Sequence, residues 1–131
     1  MRQIIYRAKR LDNGEWVYGS LDLTGVHPTI SWLRTDEDGD QVPWFAAVED
    51  ETIGQFTGLL DKNGKEIYEG DFVRYYDDME DELVTRPVEY IADYCAFCAV
   101  HPKRDPDGIF AQWEYEVVGN IHDKRESDGE D

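Results

Sequence analysis

Cations are scarce in this chain: 13 Lys and Arg stand against 30 Asp and Glu among 131 residues, for a formal net charge of −17. Sequence-independent binding to nucleic acid is driven by cations that neutralise phosphates. A simple nucleic-acid binder is therefore excluded, and an anionic membrane surface is disfavoured on the same grounds. Long apolar runs are also missing. None approaches the roughly 18 residues of a transmembrane helix, and the opening Met1-Arg2-Gln3-Ile4-Ile5-Tyr6-Arg7 lacks the apolar stretch of a signal peptide. A cytoplasmic protein with no membrane partner is expected. Only Cys95 and Cys98 occur, so no disulfide framework staples the fold and a reducing compartment keeps both as thiols. Three scattered histidines, His27, His101 and His122, form no triad on spacing. No Walker loop, GxGxxG, HExxH or nucleophile elbow is present.

What is there is a globular composition. Hydrophobic residues make up 40% and aromatics 13%, too apolar for a disordered acidic chain. The length suits a single domain with its own core. The charge is uneven. Residues 1–35 carry +2, while 36–60 carry −7, the block Asp77–Glu82 carries −5 and residues 111–131 carry −5. The acids mostly fall between apolar runs, as solvated loops do. The last stretch, 123–131, contains no apolar residue and is expected to be a flexible acidic tail.

Strand and turn signals dominate. Ile4, Tyr6 and Ala8 alternate with polar residues, and Asn13-Gly14 is a hairpin turn leading to a partner strand over Glu15–Leu21. Ile30–Arg34 and Val42–Ala46 flank the acidic turn 35–40, and Pro43 marks the second of them as an edge or irregular strand. Further strands are expected at Ile53–Leu59, Lys65–Tyr68, Asp71–Tyr76, Val84–Ile91 and Tyr94–Val100, with Ala92-Asp93 as a tight turn between the last two. From Trp113 to Ile121 the residues alternate, placing Trp113, Tyr115, Val117, Gly119 and Ile121 on one face. Helix candidates are short: Val48–Ile53 and Asp77–Leu83. The expected fold is mostly β with little helix. Residues 1–122 form one β-rich domain, with an irregular β region over 1–56 and a barrel-like region over 57–122.

The most distinctive segment runs from Thr57 to Val73. Asn63-Gly64 is a second turn, Ile67 and Phe72 are core anchors, and Gly70 can take positive φ in the turn Glu69-Gly70-Asp71. A Gly-Asp-x-Val strand start, here Gly70–Val73, is frequent in SH3-like, partly open barrels. This segment resembles the YopX family of phage and prophage proteins. Gly58, Asn63, Gly64, Ile67, Tyr68, Gly70, Asp71 and Val73 carry the likeness, with Gly119-Asn120 in the closing strand. Tyr6-Arg7-Ala8 with Gly14–Tyr18, and the lead-in Thr52–Leu59, resemble the family's opening and middle. The resemblance implies a phage or prophage setting and a mostly β fold. The family is functionally uncharacterised, so it supplies no catalytic residues.

The candidate chemistry is thin. Cys95-x-x-Cys98 with His101 offers three ligands at most, and i and i+3 on a strand point to opposite faces. Structural thiols and no metal are the expectation. Asp36, Asp38 and Asp40 sit at the spacing of a calcium loop, but Gln41 and Ala47 stand where an EF-hand needs Gly and Glu. Carboxylate pairs such as Glu66/Glu69 and Glu69/Asp71 read as turn chemistry against so acidic a background. Trp16, Trp32, Trp44 and Trp113 read as β-protein core, because base-stacking surfaces pair aromatics with cations, which are few outside residues 2–10. No cofactor is expected. The leading function is an accessory or interaction protein acting through protein–protein contacts, with a homo-oligomer through the basic N-terminal strand as one form. The alternatives are an acidic nucleic-acid mimic, which needs its acids arrayed in one band, and an uncharacterised enzyme, which needs a cleft that gathers acids with His or Cys.

Overall fold

The computed structural model describes residues 3–109 and 114–123. Its elements are antiparallel strands with two short 3₁₀ turns, and the chain divides into two compact units, 1–56 and 57–131. Among the described residues no helix is long and apolar enough to cross a membrane.

The first unit holds β1 (Tyr6–Lys9), β2 (Trp16–Asp22), β3 (Thr29–Thr35), β4 (Gln41–Ala47) and the start of β5 (Gly54–Leu60), in the order β4-β3-β2-β1-β5. Asn13 closes the first hairpin: its side-chain oxygen accepts the Glu15 N–H, while Gly14 takes φ 73°. Ala8 pairs with Val17 and Leu21 with Ile30, so one face of the sheet collects Ala8, Val17 and Ile30, and these pack with Val48 into a core. Gly19 sits where β2 passes from pairing β1 to pairing β3. A Cβ there would lie 2.0 Å from the Ser31 carbonyl oxygen, so the close approach of these strands requires glycine.

In the second unit the later part of β5 pairs with β6 (Glu66–Tyr68). A sheet follows in the order β10-β9-β8-β7-β11, from β7 (Asp71–Asp77), β8 (Glu82–Ile91), β9 (Ala96–Ala99), β10 (Asp107–Gly108) and β11 (Glu116–Asn120). It ends at β10 and β11 and does not close into a barrel. Ile67, Val73, Tyr75, Val88, Ala99 and Tyr115 form its core. Asp61 organises the β5–β6 turn: one carboxylate oxygen accepts the Asn63 and Lys65 N–H groups, and the other accepts the Val117 N–H.

Four local expectations are corrected. Asp77–Leu83 is not a helix but the tip of the β7–β8 hairpin, held by Asp77 accepting the Met79 and Glu80 N–H groups. Val48–Ile53 contributes only a 3₁₀ turn, Asp50–Thr52. Tyr94 and Cys95 lie outside any strand, because a 3₁₀ turn over Ala92–Tyr94 ends with Cys95 in the left-handed region. The alternation along β11 is broken by a bulge, since Val117 pairs with Val73 but Gly119 pairs with Phe72, the next residue back. Gln112 and Trp113, and the tail beyond Asp123, lie outside the described residues.

Candidate functional site

Ionisable chemistry concentrates on the inner face of β7 and β8. Val73, Tyr75 and Asp77 alternate inward on β7, as Val84, Arg86 and Val88 do on β8. Arg86 is thus a buried cation on a core face, a placement that demands anions. Its Nη1 donates to Asp77 Oδ2 at 2.5 Å, to Tyr75 Oη at 3.1 Å and to Asp107 Oδ2 at 3.3 Å. Arg104 joins from the loop before β10, donating to Asp77 Oδ2 at 2.6 Å and to Asp107 Oδ1 at 2.8 Å. Glu80 approaches both guanidinium groups and also meets His101 Nε2 at 2.8 Å. His101 Nδ1 accepts the N–H groups of Lys103 and Arg104, so the ring proton sits on Nε2 and is donated to Glu80.

The electrostatics of this cluster favour fixed charge. Burial opposes ionisation of Asp77, but hydrogen bonds from Arg86 and from the Glu80 and Met79 N–H groups outweigh it and hold the carboxyl below its ordinary range. Burial likewise acts against the charge on Arg86, and Asp77 and Tyr75 more than restore it. Burial pushes the Tyr75 hydroxyl up, keeping it protonated. Asp77 stays ionised, Arg86 and Arg104 stay charged and the Tyr75 phenol stays neutral, so these groups are poised for binding and cohesion rather than proton transfer near neutrality. Beside the cluster lies a cleft of about 400 Å³, walled by Tyr75, Tyr76, Met79, Pro106, Gly108 and Tyr115 and lined also by the carboxylates Asp77, Asp78 and Asp107. Of these three, Asp77 and Asp107 are already paired with arginine, and Asp78 is exposed.

The residues singled out in the sequence lie elsewhere. Gly58, Gly64 and Gly70 hold positive φ, Ile67, Tyr68 and Val73 are buried, and Asp71 accepts the Tyr68 N–H. Asn63 lies in the β5–β6 turn. Gly119 lies at the β11 bulge, and Asn120 accepts the His122 and Asp123 N–H groups. Cys95 is exposed and Cys98 buried, both as free thiols, and burial together with the Asp107 charge pushes the Cys98 thiol up. His101 is committed to Glu80 and its own loop rather than to the cysteines. The Asp36, Asp38 and Asp40 carboxylates come within 4.8 Å of one another, but Asp36 already accepts the Asp38 and Asp40 N–H groups to close its turn. Glu66 accepts the Tyr68 hydroxyl. The Arg86 cluster was missed because its acids sit in a run that reads as a solvated loop. The available signal was Arg86 itself, alternating with Val84 and Val88.

In the first unit the notable surface is apolar. Asp36 N–H donates to Asp40 and Val48 N–H to Pro28, which sets the alternation of the β3–β4 ladder. By that count Leu33:Pro43 and Ser31:Phe45 are non-hydrogen-bonded pairs. The nitrogen of Pro43 therefore faces the free edge of β4 and blunts it. On the same face, through the Ser20:Ser31 pair, lie Ser20 and Tyr18 of β2. Phe45 is 71% exposed, Leu33 65% and Tyr18 47%. Where that face continues onto β1, Arg7 and Lys9 lie over the Trp16 ring, at 4.6 and 5.5 Å from its centroid.

Together these features define a small, mostly β protein with a buried ion cluster in one unit and an open apolar sheet face in the other. The chain belongs to the YopX protein family, whose model matches residues 5–126. No curated protein sequence matches it.

Proposed function

We propose that this is a phage- or prophage-encoded accessory protein that works through protein–protein contacts, with the β2-β3-β4 face of the first unit as its docking surface. The observation that carries this reading is the exposure of Tyr18, Leu33 and Phe45 on one face, with Ser20, Ser31 and Pro43 between them, in a chain of which 33% is charged. Apolar patches of this kind on soluble domains mark interaction sites. The phage setting rests on the family resemblance.

The placement of the acids supports this reading over a nucleic-acid mimic. Duplex DNA carries one charge per about 1.7 Å of axis. In the first unit the acidic turn 36–40 and the acids of the Asp50–Thr52 turn lie at opposite ends of β4. That strand is uncharged and spans about 20 Å at a strand's rise per residue. In the second unit Asp77 and Glu80 face Arg86, Arg104 and His101. An enzyme is less well supported, since Asp77 and Asp107 at the cleft are held in ion pairs with arginine.

A photo-crosslinking residue at position 45, expressed in cells that carry the gene, tests the reading. Adducts from position 45 and none from the exposed control position Glu89 are expected. No adduct from position 45, or equal adducts from both positions, overturns it.

A further inference from the structure

Resting on that reading, we infer that the occupant of the β2-β3-β4 face is a second copy of this chain, packed face to face about a two-fold axis. Three observations point there. First, the face alternates large and small side chains. Phe45 is paired with Ser31, and Ser31 with Ser20, while Leu33 and Tyr18 stand beyond them. An isologous contact can set the Phe45 ring of each copy over the serines of the other. Second, the face is uncharged from Tyr18 and Ser20 across Ser31 and Leu33 to Pro43 and Phe45. Each copy carries −17, so a charge-free face is where two copies meet without burying unpaired carboxylates. Third, the exposed parts of these side chains offer about 400–500 Å² per copy, so that a dimer buries on the order of 1,000 Å² in total, the size of a weak reversible interface.

The geometry separates this contact from two other modes of self-association. Edge-to-edge pairing along β4 lacks a donor at Pro43. Among the described residues, charge pairing through the basic N-terminal strand lacks free cations, because Arg7 is 5% exposed and stacked on Trp16 with Lys9, while Arg10 is paired with Asp12. Salt distinguishes these modes. Two acidic copies joined by an apolar face repel less when screened, whereas ion-paired copies hold together less well.

The test is sedimentation equilibrium of the purified full chain over roughly 5–500 µM protein, a range chosen for an interface of this size, at low and high sodium chloride. The expected result is a monomer–dimer equilibrium that tightens several-fold at high salt. Phe45→Glu and Leu33→Glu should each be monomeric throughout, and Phe45→Ser, which adds no charge, should weaken the dimer at least tenfold while its circular dichroism stays unchanged. A monomer at every concentration and salt overturns the inference, as does a dimer that persists in Phe45→Ser or one that loosens with salt. If the purified chain is monomeric and position 45 still crosslinks to a different protein in cells, the second-copy assignment falls and the docking face stands.

Discussion

In the first unit Arg7 stacks on Trp16 and Arg34 on Trp44, at 4.6 and 4.1 Å from the ring centroids. In the second, Arg86 and Arg104 meet Asp77 and Asp107 through short hydrogen bonds. The first unit has five bases and ten acids, the second eight and twenty. Both are acidic, yet they use their scarce cations differently. In the first, Arg7, Lys9 and Arg34 cover aromatic rings, and the acids of the 36–40 and Asp50–Thr52 turns stay at the strand ends. In the second, Arg86 and Arg104 turn inward, and part of the acidic excess is neutralised inside the fold. Net charge thus says little about where charge matters. The exposed apolar face belongs to the unit with the simpler core, and the buried ion cluster to the unit whose core includes Tyr75 and Tyr115.

The largest test of this contrast removes the buried cation. Arg86→Met leaves Asp77 without its closest partner in a buried site, and breaking such pairs costs about 3–5 kcal/mol. Hydrogen exchange should show β7 and β8 losing protection while β2 and β3 lose less. Equal loss in both sets would mean that the ion cluster is not specific to the second unit. The counterpart for the first unit is Gly19→Ala. The new Cβ meets the Ser31 carbonyl at 2.0 Å, and because backbone cannot yield as a side chain can, the cost is about 2–3 kcal/mol. Protection should now fall in β2 and β3, reversing the first pattern.

These two sites also show how far the sequence was legible. The mostly β class followed from alternation and from two Asn-Gly turns, whose chemistry is local: Asn13 and Gly14 need only each other and Glu15. Pro43 announced an edge strand for the same kind of reason, a missing donor. The Arg86 cluster is non-local. Its carboxylates come from the β7–β8 tip and from β10, and only the folded sheet brings positions 77, 86, 104 and 107 together. A run of acids such as Asp77–Glu82 looks the same in sequence whether its members face water or a guanidinium. The β11 bulge was illegible for a related reason, since one extra residue at Val118 leaves the alternation of residue types intact while shifting the pairing. The apolar face was hidden by its own regularity: Leu33 and Phe45 look like core until the pairing places them opposite the side that holds Ile30 and Ala46.

A third, smaller effect concerns acid. Burial raises the tendency of Asp61 to protonate, but hydrogen bonds from the Val117, Lys65 and Asn63 N–H groups outweigh it and keep the folded carboxyl below its ordinary range. A carboxyl lowered on folding stabilises the native state above its unfolded pKa, and that contribution disappears as pH falls through the folded value. The second unit should therefore weaken on acidification through and below the ordinary carboxylate range. Asp61→Asn should cost about 1–2 kcal/mol at neutral pH, in line with hydrogen bonds to a charged acceptor, and should flatten that acid dependence. Thermal unfolding of both proteins across the acid range measures it, and parallel curves would assign the acid sensitivity elsewhere, with Asp77 as the next carboxylate to replace.

The smallest effect separates backbone from thiol in the Cys95-x-x-Cys98 motif. Among the described residues, the positive-φ positions of the first unit, Gly14 and Gly39, are glycines, whereas the second unit also places Asp81 and Cys95 there, at φ 56° and 52°. An L-residue in the left-handed region is strained by about 1–2 kcal/mol, part of which glycine gives back through greater freedom in the unfolded chain. Cys95→Gly should therefore stabilise the second unit by about 0.5–1 kcal/mol. Cys95→Ser keeps the strain and a donor for the Ala92 carbonyl, which the thiol now contacts at 3.6 Å, so it should leave stability unchanged. Urea midpoints of the three proteins decide between the two roles. If Ser destabilises as much as Gly stabilises, the thiol itself holds the turn; if only Gly changes the midpoint, residue 95 matters for its backbone, and the spacing to Cys98 carries no joint chemistry.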